Sequence, residues 1–166
     1  MMKKKIEVAI NKQINAELGS AYLYFSMEAY FNSINLNGFA NWMRMQAAEE
    51  IQHALKFVDH LNERGASVTL SAIANPKATW SSPLAAFQDT LKHEQKVTQL
   101  INDLVTLAIK ENDYATQNFL QWFVDEQGEE EASATQIIEQ IKLAGDSKGA
   151  LFYINRELGG RGGSAE

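Results

Sequence analysis

Four long stretches of this chain repeat apolar residues at steps of three and four, and each apolar stripe is interrupted near its middle by a glutamate. The first reads Ile10, Ile14, Glu17, Ala21, Tyr24, and the second Phe39, Met43, Gln46, Glu50, His53, Phe57. The third reads Phe87, Leu91, Glu94, Thr98, Ile101, Val105, and the fourth Leu120, Phe123, Gln127, Glu130, Ala134, Ile137, Ile141. Such steps keep residues on one face of an α-helix, so the pattern predicts four amphipathic helices, each with a carboxylate on its buried face. A carboxylate at a core position is costly unless something neutralises it. Four at one level of a bundle repel one another, and a bound cation is the simplest remedy.

Helix-breaking residues are confined to the connections. The only two prolines, Pro76 and Pro83, fall in one of them. The first helix is expected from about Lys4 to Ser33, followed by the turn Asn35-Leu36-Asn37-Gly38, in which Asn37 is placed to cap the second helix. The second helix runs to about Arg64 and stops at Gly65. From Ala66 to Ser82 the helical pattern is lost, over a length unusual for a link between antiparallel helices. Fully extended it reaches ~55 Å, whereas a helix of ~28 residues is only ~42 Å long. The connection can therefore return along the whole bundle and set the third helix parallel to the second. Ser82-Pro83 reads as a cap with proline at the first helical position, opening a helix to about Glu111. A tight Asn112-Asp113 turn leads to a fourth helix ending near Gly145. A shorter fifth helix, about Lys148 to Leu158, carries Leu151, Phe152 and Ile154 in an amphipathic pattern. The glycine-rich tail, 159–166, is expected to be flexible. The whole chain, 1–166, reads as one all-α domain, with the bundle over about 4–145.

Charge and composition narrow the chemistry. The formal net charge of -6 disfavours nucleic acid as a partner, and no basic stripe occurs beyond Lys3, Lys4 and Lys5. With no cysteine, a metal has to be held by oxygen and by the imidazoles of three histidines. The basic start has no apolar run behind it, and no stretch is apolar for long enough to span a membrane, so neither a signal peptide nor membrane attachment is expected. The default location is the cytoplasm.

Residues three apart on a helix share a face, so Glu50-Ile51-Gln52-His53 offers an oxygen and a nitrogen together. Metal sites inside helical bundles combine such pairs with single glutamates from other helices, here Glu17 and Glu94. Hard oxygen ligands with one imidazole suit iron better than zinc, without excluding zinc or manganese. His93 points about 100° away from Glu94 on its helix, and His60, two turns past His53, reads as structural.

Taken together, several motifs make the chain resemble the non-haem bacterial ferritins along almost its whole length, up to about Leu158. They are Asn15-x-Glu17, Tyr24, Glu49-Glu50-x-x-His53, Lys92-His93-Glu94-Gln95, Asn118-Phe119-Leu120-Gln121-Trp122 and Glu126-Gln127-x-Glu129-Glu130-Glu131. The resemblance implies a ferritin-like four-helix bundle and a ferroxidase centre inside it. Glu17, Glu50 and His53 would hold one iron; Glu50, bridging, would hold the other with Glu94 and Glu130. Gln127 would lie beside the ligands or position a water, and Tyr24 would hydrogen-bond a ligand carboxylate, Glu94 first, while also serving as a core tyrosine. Glu49, Glu126 and Glu129 resemble a third iron site, although by spacing alone they read equally as a solvated acidic face. Trp122 reads as packing, with electron donation as the other option.

The resemblance further implies oxidation of Fe(II) by O2 or H2O2 and storage of ferric oxide within a shell of twenty-four identical subunits. The fifth helix would meet its copies around a fourfold axis, or else pack back on its own bundle end. Two departures narrow the type. The fourth helix has no histidine, so the site is asymmetric, and Ile51 stands where bacterioferritins carry a haem-ligating methionine, so haem is not expected. Two other readings stay open: a soluble di-iron oxygenase or peroxidase of the same superfamily, and a metal-binding bundle without turnover.

Overall fold

The computed structural model describes residues 2–162, and among them every regular element is a helix. The order is α1 (Lys4–Ser33), α2 (Asn37–Glu63), α3 (Pro83–Lys110), α4 (Tyr114–Ala144) and α5 (Lys148–Gly159). α1 packs on α2 and α3 on α4 as two hairpins, and α1 meets α3 across the bundle. None of these helices is long and apolar enough to cross a membrane.

The chain reverses at residues that tolerate left-handed backbone. Asn35 (φ 59°) and Asn112 (φ 55°) turn the two hairpins, and Gly65 (φ 65°) ends the α2 segment. Ser82 caps α3 by accepting the Ala85 N–H at 3.1 Å, and Asp113 caps α4 by accepting the Thr116 N–H at 3.0 Å. Asn37 does not cap α2 as expected. It is the first helical residue, and Asn155 of α5 supplies the cap, its Oδ1 accepting from Gly38 N (2.9 Å) and Phe39 N (3.2 Å). A long-range partner thus replaces the local one.

The crossover climbs along α1. Asn11 grips it at both ends of its amide, donating to Ser67 O (2.9 Å) and accepting from Thr69 N (2.6 Å). Further up, Ser26 donates to Lys77 O (2.6 Å), and the buried Trp80 packs on Tyr30. These contacts carry the chain from the Asn11 end of α1 to its Tyr30 end, so α3 starts beside the start of α2 and runs parallel to it.

Two apolar clusters fill the bundle. One gathers Tyr24, Met27, Phe31, Phe39, Met43, Phe87 and Ile137; the other gathers Ile6, Ile10, Ile14, Phe57, Ile101, Leu120 and Phe123. The buried face of α3 differs in part from the expected stripe. Thr90, Val97 and Leu104 are buried, whereas Leu91, Thr98 and Val105 are only half-buried. Both sets share Phe87, Glu94 and Ile101 and alternate steps of three and four, so periodicity does not separate them. Thr90 is buried without penalty because its hydroxyl donates to Ala86 O at 3.1 Å.

α5 docks on α2 and, less extensively, on α4 of its own bundle. Ile154 is buried, with Leu151 and Leu158 partly buried beside it. Phe152 does not share that face and is 68 % exposed. The glycine-rich segment begins anchored rather than free: Gly159 closes α5, and Asn41 Nδ2 donates to Arg161 O at 2.9 Å. The rest of the expected flexible tail, 163–166, lies outside the described residues.

Candidate metal centre

The two apolar clusters are separated by a polar layer. Reading along α1, Glu17 falls between Ile14 of one cluster and Tyr24 of the other; Glu50, Glu94 and Glu130 fall at the same junction on their own helices. All four are at most 5 % exposed, and His53 is 4 % exposed.

Each carboxylate has a neutral or weakly basic donor. Gln13 Nε2 donates to Glu17 Oε1 (2.7 Å) and Gln46 Nε2 to Glu130 Oε2 (2.7 Å). Glu94 takes the Tyr24 hydroxyl on one oxygen and Gln127 Nε2 on the other (3.1 Å). His53 Nδ1 lies 3.2 Å from Glu50 Oε2. No lysine or arginine makes an ion pair with any of the four among the described residues. Among the described residues, Glu17 Oε2 and Gln46 Oε1 are buried with no hydrogen-bond partner, an arrangement that costs free energy unless a cation or water meets them.

Electrostatics agree with an unmet demand for positive charge. Burial, then the Glu50 charge, pushes the Glu17 carboxyl well above the ordinary range. Burial and Glu94 do the same to Glu50. Glu130 rises to about 7, again through burial and then Glu94. Burial also raises Glu94, against the opposing hydrogen bonds from Tyr24 and Gln127.

Ligand-capable atoms converge in two groups. Those of Glu17, Glu50 and His53 lie within 4.8 Å of one another, and so do those of His53, Glu126 and Glu130. Glu94 belongs to neither group, being held by Tyr24 and Gln127 on the α3 side. The three acids read as a third site do not gather into one group of their own. Glu126 approaches His53 Nε2 at 3.8 Å, Glu49 is ion-paired with Arg161 at 2.7 Å, and Glu129 is exposed.

The remaining singled-out residues surround this layer. Trp122 is 41 % exposed, with its ring edge-on to His53 and Lys56 Nζ 4.3 Å above it. His60 stacks flat on Phe119 at 4.0 Å and meets Thr116 Oγ1 at 3.0 Å. His93 meets Ser20 Oγ at 2.7 Å, and burial pushes its imidazole down to about 4.

Sequence reasoning missed Gln13 altogether and gave Gln46 no role. The available signal was a glutamine one turn before a buried glutamate, Gln13 before Glu17 and Gln46 before Glu50. Gln46 nevertheless reaches across the bundle to Glu130 rather than along its own helix.

Comparison with known proteins follows the same lines. A family model described as a ferritin-like domain matches residues 7–144. The chain is 42 % identical over 161 residues to a bacterial non-heme ferritin of Bacteroides fragilis, covering 97 % of this chain and all of the relative. Among solved structures, an open-pore ferritin of the hyperthermophilic archaeon Archaeoglobus fulgidus superposes with a TM-score of 0.95 at 52 % identity, over 96 % of this chain and 98 % of that one. A closed form of the same ferritin, engineered by site-directed mutagenesis, superposes with a TM-score of 0.97 at 50 % identity, over 99 % of this chain and 100 % of that one.

Proposed function

The chain belongs to the ferritin family, and on that premise we propose that it stores iron as a ferroxidase, oxidising Fe(II) in the polar layer and passing Fe(III) to a mineral inside a shell of its own copies. The observation that carries this reading is the buried layer itself, with four glutamates and one histidine between two apolar clusters and two polar atoms left without partners. The donor set fits iron: carboxylate oxygens with a single imidazole accept a hard or borderline cation, and Fe(II) arrives as substrate rather than as a resident cofactor.

In this reading Glu17, Glu50 and His53 hold one iron, and Glu50 bridges to a second held with Glu94 and Glu130. Two Fe(II) ions side by side supply two electrons to one O2 or H2O2. Tyr24 and Gln127 hold the Glu94 carboxylate in place, and Gln46 does the same for Glu130. Binding displaces the protons that the raised carboxyls carry, so the layer itself releases protons as cations enter. Glu126, against His53, is the first acid beyond the pair, and with Glu49 and Glu129 it offers Fe(III) a way out of the centre. A carboxylate-rich site with one nitrogen holds its product loosely enough for repeated turnover.

Assembly is proposed as the twenty-four-subunit shell that the family resemblance implies, in the cytoplasm, with the chain acting as one ferritin-like unit. Leu143 and Tyr153, which line one groove between α4 and α5, and the exposed Phe152 supply apolar surface for contacts between copies.

The test is anaerobic addition of Fe(II) followed by air, with light scattering on the same sample. Fast O2 or peroxide consumption, ferric absorbance and a large hollow particle that fills with mineral are expected. Iron oxidation no faster than a protein-free blank, or unchanged in Glu50→Ala and His53→Ala, would sink the reading. A small discrete oligomer without mineral would favour an oxygenase acting on an organic substrate.

A further inference from the structure

The C-terminal end of α5 reaches back along α2 towards the metal layer. Asn155 caps α2 at Gly38 and Phe39, and Asn41 grips the Arg161 carbonyl. Beyond those anchors the Arg161 guanidinium lies over the Trp42 ring, 4.8 Å from its centroid, and Nη2 reaches Glu49 Oε2 at 2.7 Å. Glu49 adjoins Glu50 in the chain, and its charge acts on both Glu50 and Glu130.

This contact is built to hold but not to lock. Trp42 and the Asn41 anchor fix where the guanidinium sits. Among the described residues only one of its terminal nitrogens is matched, because Nη1 is buried without a partner there. The pair is partly open to water, with the two side chains 29 % and 46 % exposed, and pairs of that kind are weak. A divalent cation offers Glu49 twice the charge at shorter range. Among the described residues no lysine or arginine is paired with a carboxylate of the glutamate layer in a comparable way.

We propose that Arg161 is a positioning residue that occupies Glu49 as a displaceable counter-cation and sets how tightly a cation leaving the metal centre is held there. The inference rests on the metal reading of the layer and goes beyond it in assigning a role to the C-terminal turn. In the resting protein Arg161 offsets part of the charge that Glu49 adds to that of the buried ligands. When a cation reaches Glu49, the guanidinium releases the carboxylate and stays seated on Trp42. Its positive charge, still close by, weakens retention and favours onward movement.

A double-mutant cycle in the assembled, iron-free protein tests this, with Zn(II) as a redox-inert probe followed by calorimetric titration. Arg161→Gln is expected to tighten the weakest Zn(II) step by about five-fold, the size of a partly exposed ion pair. Arg161→Lys, which keeps the charge, is expected to restore the wild-type affinity, a result that a purely structural role would not produce. In a Glu49→Gln background, Arg161→Gln is expected to change the same step by less than about two-fold. If Arg161→Gln loosens α5 or the assembly, Arg161→Met keeps apolar packing on Trp42, and the same thresholds apply. A change below about two-fold in the Glu49 protein, or an equal change in both backgrounds, overturns the inference. Tight Zn(II) steps lost in Glu50→Ala, beside a weak step indifferent to Arg161, would sink this inference alone. Zn(II) steps indifferent to Glu50→Ala would sink the metal centre and this inference with it.

Discussion

Tyr24 on α1 donates its phenol hydroxyl to Glu94 on α3, joining the two helices at the level of the glutamate layer. The phenol is fully buried, and burial followed by the Glu94 charge pushes its ionisation well above the ordinary range, so it remains a donor at any physiological pH. Tyr24→Phe leaves Glu94 with Gln127 alone. A buried acceptor deprived of its donor costs about 1–3 kcal/mol, so Fe(II) binding or the initial oxidation rate should change by roughly ten-fold while the fold persists. Parallel anaerobic Fe(II) titration and stopped-flow oxidation check this. Wild-type values in both would mean that Tyr24 only packs.

The raised carboxyls make the stability of the cation-free protein depend on pH in an unusual direction. A group whose value is raised on folding contributes stability below its unfolded value and loses it as pH climbs through its folded value. For Glu130 that window runs from the ordinary 4.5 to about 7, and Glu17, Glu50 and Glu94 shift the same way. The cation-free protein should therefore lose Tm between those limits, whereas Zn(II)-loaded protein should not. Zn(II) affinity should rise over the same interval, with proton release visible as a dependence of binding heat on buffer ionisation enthalpy. A cation-free Tm that rises steadily to pH 7 would contradict the burial of ionisable carboxylates in one layer.

Helix number, their approximate ends and the four mid-stripe glutamates were legible because each rests on local periodicity and on local stop signals such as Gly65 and Ser82-Pro83. What was not legible depends on which faces meet. Thr90 and Leu91 compete for the same buried seam with the same alternating steps, and only tertiary packing, which sets Thr90 against Met27 of α1, selects Thr90. Asn37 had the right chemistry to cap α2, but Asn155, more than a hundred residues away in sequence, takes that role. Gln46 pairs with Glu130 across the bundle, a contact that no spacing rule along α2 encodes. The Glu49–Arg161 pair was hidden for a further reason: a glycine-rich segment reads as free chain until its anchors are seen.

Gly128 sits inside α4, exposed, and a Cβ built there meets no atom within 4 Å. Nothing among the described residues therefore demands glycine there. Gly128→Ala should stabilise the subunit by about 0.5–1 kcal/mol through helix propensity and a less flexible unfolded chain. Thermal unfolding measured beside light scattering separates two outcomes. A higher Tm with unchanged assembly means the glycine is dispensable. A lower Tm or a smaller particle means that another copy of the chain, or cargo, approaches α4 at this point.

Gly38 is a different case. A Cβ there would lie 1.6 Å from the Asn155 carbonyl oxygen and 2.6 Å from its carbon, both backbone atoms that cannot turn aside. Gly38→Ala has to push α5 off the start of α2, removing the Asn155 cap from the Gly38 and Phe39 N–H groups and unseating Ile154 from the core. Loss of a cap costs about 0.5–2 kcal/mol, and overpacking adds about 1–3 kcal/mol. Tm should fall by several degrees, and the turn bearing Arg161 should move away from Glu49. Hydrogen exchange at α5 and at the first turn of α2 should report the detachment directly. The glutamate layer lies about three turns further along α2, so tight Zn(II) binding should survive where the bundle does. Because α5 carries the exposed Phe152 and Tyr153, assembly should weaken in step with its detachment. An alanine variant with wild-type exchange at both places would mean that α5 is not held against Gly38 in solution.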